Sequence, residues 1–290
     1  MNICFYHNDT DGRMSAAIVM KHEEKIIYKE LTDFKEMKYG FNEDEFVDTY
    51  SEQKFNKVYV VDFSFPEHIF KMLLDNCKEL IWCDHHESAF KRLPKWWDGS
   101  ISPKLKGQRS IAKAGCRLTW EYLFEKRPIP KCVIYAEDND LWKFNHSWVT
   151  KAFAEKINTE PNIFVHRQLL DETNLMPLIS EGKILLTAMR QRVEKTFSGG
   201  HEITFHRHKA YVVNTNHDIS SMGEYIYKEK EYPIAIIWFF REGKFRVSLR
   251  SDTVAVDKIA EQYGGGGHEF ASGFELLPQD KEVLNILGVK

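Results

Sequence analysis

The sequence predicts an α/β protein: a doubly wound, mainly parallel sheet in its first part, then a smaller α/β domain. Three observations predict it. Short apolar runs of strand length, Ile3 to Tyr6, Val58 to Val61 and Leu80 to Cys83, alternate with stretches whose apolar residues recur at helical spacing, the rhythm of parallel strand-helix-strand units. Each run stops abruptly at acidic or imidazole side chains, and open α/β sheets gather their sites at the carboxyl ends of their strands. Beyond residue 200 the pattern changes to alternating and apolar strand-like runs, Ala210 to Val213, Ile234 to Phe240 and Phe245 to Leu249.

In chain order, the first run ends in His7, Asp9 and Asp11, with Gly12 allowing the turn. Met14, Ala17, Ile18 and Lys21 then repeat at helical spacing and predict a helix over Arg13 to His22. The positive amino end of such a helix points back at the acidic loop, a natural neighbourhood for phosphate. Residues 30 to 56 are polar and acidic with scattered aromatics and give no functional reading. The second run ends in Asp62, and Pro66 opens a helix to about Asn76. The third ends in Asp84, His85 and His86, three metal-capable groups in a row. A single acid at a strand end is more often a turn former or helix cap; three such strand ends together describe one site.

Residues 94 to 109 hold Pro94, Gly99, Pro103 and Gly107 and are expected to be a loop. Arg109 and Ser110 precede a helical pattern over Ala114 to Leu123, placed either as a cap or as a phosphate contact. The run Cys132 to Ala136 reads equally as strand or helix, and Glu137, Asp138, Asn139 and Asp140 follow it. Trp142, Phe144 and Trp148 come next, residues that close a core or stack a base. Ile184, Leu185, Ala188, Met189 and Val193 make one helical stripe, stopped by Gly199 and Gly200. The expected partition is a first domain over residues 1–180, a connecting helix over 181–200 and a second domain over 201–290.

The length, 290 residues, suits two domains, and 43% hydrophobic with 29% charged residues suits an ordinary folded chain. A net charge of −3 excludes the strongly basic surface that long duplex nucleic acid requires, so any nucleic-acid partner is expected to be short. Cys4, Cys77, Cys83, Cys116 and Cys132 contain no Cys-x-x-Cys pair and fit free thiols in a reducing compartment. The chain enters its first strand with no targeting segment ahead of it and has no apolar run of about 18 residues, so a cytoplasmic location without a membrane partner is expected.

His7-Asn8-Asp9-Thr10-Asp11-Gly12, then Asp62, then Asp84-His85-His86, then an acidic element placed at Asp138, resemble the ordered motifs of the DHH phosphoesterases. Arg246-Val247-Ser248-Leu249-Arg250-Ser251 and Gly264-Gly265-Gly266-Gly267-His268 resemble the signature of the first type of DHH-associated domain, so the resemblance covers most of the chain. It implies a catalytic domain and a capture domain with the substrate in the cleft between them, and a helix at Cys132 to Ala136.

The ligand set implied is His7, Asp9 and Asp62 for one metal ion and Asp11, Asp62, His85 and Asp138 for a second, with Asp62 bridging. Asp138 takes precedence over Asp140 because in related sequences the Asp directly following the apolar run is the ligand. Two Mn²⁺ ions are implied, with Mg²⁺ or Co²⁺ as substitutes, and an imidazole-carboxylate set without thiolate suits such ions better than structural zinc. Two divalent cations would also balance the four mutually repelling carboxylates. Asp84 is placed as the acceptor that fixes an imidazole tautomer and His86 as the contact to the scissile phosphate. Four glycines alone fit a flexible linker, but Gly265, Gly266 and Gly267 beside His268 read as a backbone nest for an anion, with Arg246 and Arg250 adding two-pronged phosphate recognition.

The activity expected is two-metal phosphodiester hydrolysis of short single-stranded RNA or DNA in the manner of an oligoribonuclease, with nucleoside 3′,5′-bisphosphate as a further substrate. A cyclic- or linear-dinucleotide phosphodiesterase of signalling is the close alternative. A catalytically inactive nucleotide-binding regulator is the alternative of another class, and the six filled ligand positions argue against it. A single-strand DNA exonuclease fits less well without an added binding module, and a manganese pyrophosphatase would lack the Gly-Gly-Gly-His signature. Cleavage direction and oligomeric state are not legible in the sequence.

Overall fold

An apolar run with no polar alternation must be covered on both faces, which is the situation of a strand inside a parallel sheet. In a computed structural model of the chain, which describes residues 1–24, 32–281, 283 and 286, the three runs lie side by side. β1 (Asn2–His7), β2 (Thr32–Met37), β3 (Phe55–Val61), β4 (Cys77–Cys83) and β5 (Leu105–Lys106) form a sheet in the order β2-β1-β3-β4-β5. Every pair is parallel. Helices α1 (Thr10–Glu23), α2 (Glu43–Tyr50), α3 (Glu67–Asp75), α4 (Glu87–Arg92) and α5 (Pro94–Trp97) connect these strands. After them come α6 (Gly115–Phe124), α7 (Lys131–Asp140), α8 (Trp148–Ile157), α9 (Ile163–Leu169) and the long α10 (Met176–Phe197).

The period-two alternation of strands sorts their side chains into two layers. Ile3, Phe5, Val58, Val60, Leu80 and Trp82 pack with Phe46 of α2 and with Ile69, Phe70 and Leu73 of α3. On the other face Cys4, Tyr6, Tyr59, Val61, Ile81 and Cys83 meet Ala16, Val19 and Met20 of α1. Met14, Ala17 and Ile18 of the same helix join α6, α7 and α8 in a further apolar layer, so α1 is buried nearly all round. All five cysteines are free and buried.

The chain goes from β1 outward to β2 and returns on the other side to β3, so the strand order reverses between β1 and β3. In open α/β sheets such a reversal marks the crevice at the carboxyl ends of the strands. Two local expectations change. Residues 94–109 are not all loop, because Pro94 begins the short α5, where a missing N–H costs nothing, and Leu105–Lys106 pair with β4. Arg109 does not wait for a phosphate, since its guanidinium donates to the carbonyls of Trp82, Trp97 and Lys106. The run Cys132 to Ala136 is helical, within α7.

The chain separates into two compact units, Met1–Leu186 and Thr187–Lys290, with the division inside α10. In the second unit β6 (His201–Phe205), β7 (His208–Asn214), β8 (Ile234–Arg241), β9 (Lys244–Arg250), β10 (Gly266–His268) and β11 (Ala271–Leu276) form one sheet in the order β10-β11-β9-β8-β7-β6. Only β7 with β8 is parallel. That parallel pair needs a crossover, which α11 (Ile219–Glu224) and a π-helical turn at Tyr225–Glu229 supply. α12 (Val256–Gln262) covers the face that carries Val212, Ile236, Val247, Leu249 and Phe274. No helix among the described residues is long and apolar enough to cross a membrane.

Candidate metal centre

β1 delivers His7 to the crevice, and Asp9 then caps α1, its Oδ1 accepting from the Gly12 N–H at 2.9 Å. Asp11, in the first turn of α1, accepts from the N–H groups of Gly115 at 2.7 Å and Cys116 at 2.8 Å, at the amino end of α6. The dipole of α6 thus holds one of the protein's own carboxylates. Asp62 leaves β3 with φ 52°, a left-handed conformation that Asp tolerates better than bulkier residues, and its N–H donates to Cys83 at 2.8 Å.

These side chains converge. His7, Asp9 and Asp62 lie close enough to share one ion, and so do Asp11, His85 and Asp140. His85 Nε2 is 3.1 Å from Asp62 Oδ1, 3.4 Å from Asp140 Oδ2 and 3.7 Å from Asp11 Oδ2. His7 Nδ1 is 2.6 Å from Asp9 Oδ2 and 3.8 Å from Asp62 Oδ2. Asp62, His85 and His86 make a third group of ligand spacing.

The donor set fits divalent cations. Asp62 is 1% exposed, and neither of its carboxylate oxygens makes a hydrogen bond, although the His85 ring nitrogen stands 3.1 Å from Oδ1. Burying a carboxylate without partners is costly, and a cation is the remedy the surroundings allow. Burial, then the charges of Asp11, Asp9, Asp140 and Asp84, hold the Asp62 carboxyl well above its usual range, and burial with Asp11 and Asp9 does the same to Asp140. Burial acts on Asp9 in the same sense, but the His7 contact and the Gly12 N–H prevail and bring it down to about 2. Burial lowers His85 despite the acids around it, which favours the neutral imidazole whose lone pair a cation can take.

Asp84 is completely buried, and its Oδ1 takes the N–H groups of His85 at 2.8 Å and His86 at 3.3 Å and meets His86 Nδ1 at 2.7 Å. The imidazole it orients is therefore that of His86. Burial works against the charged form of His86, but Asp84 outweighs it and raises the imidazole from its ordinary value.

Asp138 is not part of the cluster, and this corrects the sequence expectation. Its carboxylate accepts from the N–H groups of Asn145 and His146 and from the Thr150 hydroxyl, while its carbonyl takes Lys143 and Phe144, so it organises the turn after α7. Residues two apart on a helix point about 200° apart, so with Asp138 turned to that loop, Asp140 is turned to the metals.

Two further residues escaped the sequence reading. A Cβ on Gly115 would stand 2.6 Å from Asp62 Cβ and 3.0 Å from Asp11 Oδ2, so only glycine lets the start of α6 approach both acids. Tyr39, in the turn after β2, stacks on buried Phe63 and borders His7 and His86. The signals were weak: a glycine beside an ordinary helix start, and an aromatic in a polar stretch.

In the second unit Arg250 is opposite Ala271, which is opposite His268, so the three share one face of the sheet. Arg250 Nη1 donates to the Leu249 and Ser272 carbonyls, and burial lowers its pKa from the ordinary guanidinium value. Arg246 is opposite Glu275 instead, and its Nη2 lies 3.3 Å from Glu242 and 3.5 Å from Glu275. Four strand positions, about 13 Å, separate it from Arg250, so it is not gathered beside His268. The glycine run is also less of a nest than expected. The N–H groups of Gly264 and Gly265 close the end of α12 on Glu261 and Ala260, and Gly266 and Gly267 enter the edge strand β10, with Gly267 at φ 145°.

Residues 209–285 match the DHHA1 domain family. Over 234 residues the chain is 25% identical to an uncharacterized protein of Acanthamoeba polyphaga mimivirus, covering 74% of this chain and 52% of the relative. The chain thus spans about half the length of the curated relative it matches. Among solved structures it resembles a pGpG-specific phosphodiesterase, PggH, of Vibrio cholerae, with TM-score 0.57, 13% identity and coverage of 98% of this chain and 95% of that one. An exopolyphosphatase-related protein of Bacteroides fragilis gives TM-score 0.61 at 12% identity over 99% and 90%. RecJ of Thermus thermophilus in complex with Mn²⁺ gives TM-score 0.54 at 17% identity, over 98% of this chain and 50% of RecJ. At these identities the likeness is one of fold.

Proposed function

We propose that the chain, whose residues 209–285 match the DHHA1 domain family and whose fold resembles that of PggH and RecJ, is a DHH-type two-metal phosphodiesterase acting on short single-stranded oligonucleotides. The observation that carries this is Asp62, fully buried with two unpartnered oxygens among Asp9, Asp11, Asp140, His7 and His85. We assign His7, Asp9 and Asp62 to one ion and Asp11, Asp62, His85 and Asp140 to the other. Mn²⁺ is the preferred ion, with Mg²⁺ or Co²⁺ as substitutes.

When bound, a pair of such ions supplies positive charge at the phosphoryl group and lowers the pKa of the attacking water. The chain's residues do the rest. His86, held at Nδ1 by Asp84, donates its other N–H to a phosphoryl oxygen, and the burial of Asp84 and Asp62 beside it strengthens that hydrogen bond. In the second unit Arg250 and His268 hold a phosphate that does not react, with Gly266 and Gly267 admitting it close to the backbone and Arg246 contributing long-range charge. This spends binding energy on position. A linear or cyclic dinucleotide is the second reading, favoured because the fold likeness to the pGpG phosphodiesterase spans 95% of that chain.

The test is a hydrolysis panel with Mn²⁺ over two- to ten-residue RNA and DNA, linear and cyclic dinucleotides, nucleoside 3′,5′-bisphosphate and pyrophosphate. Short oligonucleotides should be cleaved fastest, and exhaustive chelation should abolish cleavage. Full activity after chelation, or turnover of pyrophosphate alone, would overturn the reading.

A further inference from the structure

The phosphodiesterase reading leaves open what recognises the substrate beyond its phosphates. Tyr39 sits in the turn that follows β2, at the edge of the sheet where His7, Asp62 and Asp84 emerge. One side of its ring stacks on Phe63, with centroids 4.7 Å apart and planes at 24°. Phe63 is completely buried, so it is a fixed floor beneath the tyrosine. Tyr39 nevertheless keeps 48% of its surface exposed. The His7 ring is 5.4 Å away and the His86 ring 5.8 Å away. Ser64 lies beside the tyrosine hydroxyl and takes an N–H of Arg92 at 3.3 Å, which brings an exposed cation to the same border.

Phe63, Phe65 and Phe41 pack on one another beneath the Tyr39 ring, so its exposed part is not what closes that core. The ring is flat, backed by a second ring, and within 6 Å of the imidazole assigned to the phosphate. Those features match a stacking platform, which accepts any base because every base has a π-face.

We propose that Tyr39 is a nucleobase subsite of the metal centre, on which the base next to the scissile phosphate stacks, with Arg92 beside it for the adjoining phosphate. The subsite rests on the phosphodiesterase reading for its substrate. It commits that substrate to carry a base, and it places the recognition of that base within the unit that holds the metals. Purines, with more ring to cover, should gain more than pyrimidines, without hydrogen-bonded sequence readout.

The experiment reads binding without turnover. A dinucleotide carrying 2-aminopurine and a phosphorothioate linkage is titrated into wild type, Tyr39→Ala, Tyr39→Leu, Tyr39→Phe and Trp142→Ala, with equal metal content verified for each. Stacking on Tyr39 should quench the 2-aminopurine emission in wild type, Tyr39→Phe and Trp142→Ala. Tyr39→Ala and Tyr39→Leu should lose the quenching and bind roughly tenfold more weakly. An abasic dinucleotide should bind wild type and Tyr39→Ala alike. The leucine variant keeps an apolar cover over Phe63, so a folding defect confined to the alanine variant does not decide the matter. The subsite is overturned if Tyr39→Leu keeps the quenching, if the abasic probe weakens as much as the base-bearing one, if Trp142→Ala alone removes the quenching, or if wild type does not bind the probe. Quenching by a wild type that hydrolyses no phosphodiester would sink the catalytic reading and leave the subsite. Dinucleotide hydrolysis with quenching unchanged in Tyr39→Leu would do the reverse.

Discussion

Asp62 concentrates the physical logic of the centre, because the same carboxylate is a liability without metal and, in the proposed assignment, the bridge with it. Buried among like charges and with no hydrogen-bond donor on either oxygen, it should destabilise the metal-free chain. Asp62→Asn should therefore raise Tm in chelator while lowering bound manganese from two ions per chain to none, and Asp140→Asn should remove one. Asp138→Asn and Asp84→Ala should keep both ions. Thermal melts in chelator with metal counted by mass spectrometry check all four; an Asp138 variant short of an ion would restore it to the ligand set. The acids at strand ends were legible in the sequence because an apolar run that stops at Asp or His can place that group only at the sheet edge. The choice between Asp138 and Asp140 was not legible, since two acids on the last turn of one helix differ only in which way the helix is rotated. Gly115 was illegible for a similar reason, because its neighbours Asp11 and Asp62 are remote in sequence.

At the scale of elements, helices pack where their polar groups can be satisfied, and α9 shows the cost of changing their charge. His166 on that helix is completely buried, with Nε2 on the Glu160 carbonyl at 2.9 Å and Nδ1 without a partner. Burial pushes it down to about 4, with the Arg13 charge in the same sense and the Glu160 carbonyl against. The folded pKa lies below the unfolded one, so the unfolded chain takes up the proton first as pH falls. Stability is full above about pH 6.5 and is lost as pH falls through that window toward 4, by up to about 3 kcal/mol. His166→Gln, which retains a donor for Glu160, should flatten the loss between pH 7 and pH 5; denaturant melts at the two values in chelator measure it. An unchanged slope in that variant would place the titration elsewhere. The interior strands were legible because both of their faces are apolar. The edge strand β2, Thr-Asp-Phe-Lys-Glu-Met, reads as polar chain, so the turn that carries Tyr39 stayed unread.

For the whole molecule, the order of motifs made the two-part organisation legible, whereas the surroundings of Arg246 and of the glycine run depended on strand register that sequence does not show. The two units are assigned different work, and that assignment can be separated kinetically. If the first unit performs the chemistry, His85→Ala should abolish hydrolysis of every ester, large or small. If Arg250 and His268 position a phosphate that does not react, Arg250→Ala and His268→Ala should lower kcat/KM for a dinucleotide roughly ten- to a hundredfold, the equivalent of about 1.5 to 3 kcal/mol for a charge-assisted contact. A small chromogenic phosphodiester has no second phosphate, so its rate should fall far less, and the ratio of the two rates should shift by tenfold or more. Arg246→Ala, already paired with Glu242 and Glu275, should shift that ratio least. Losses in the Arg250 and His268 variants that were equal for the dinucleotide and the small ester would show that these residues support the chemistry itself, and the division of labour between the units would have to be abandoned.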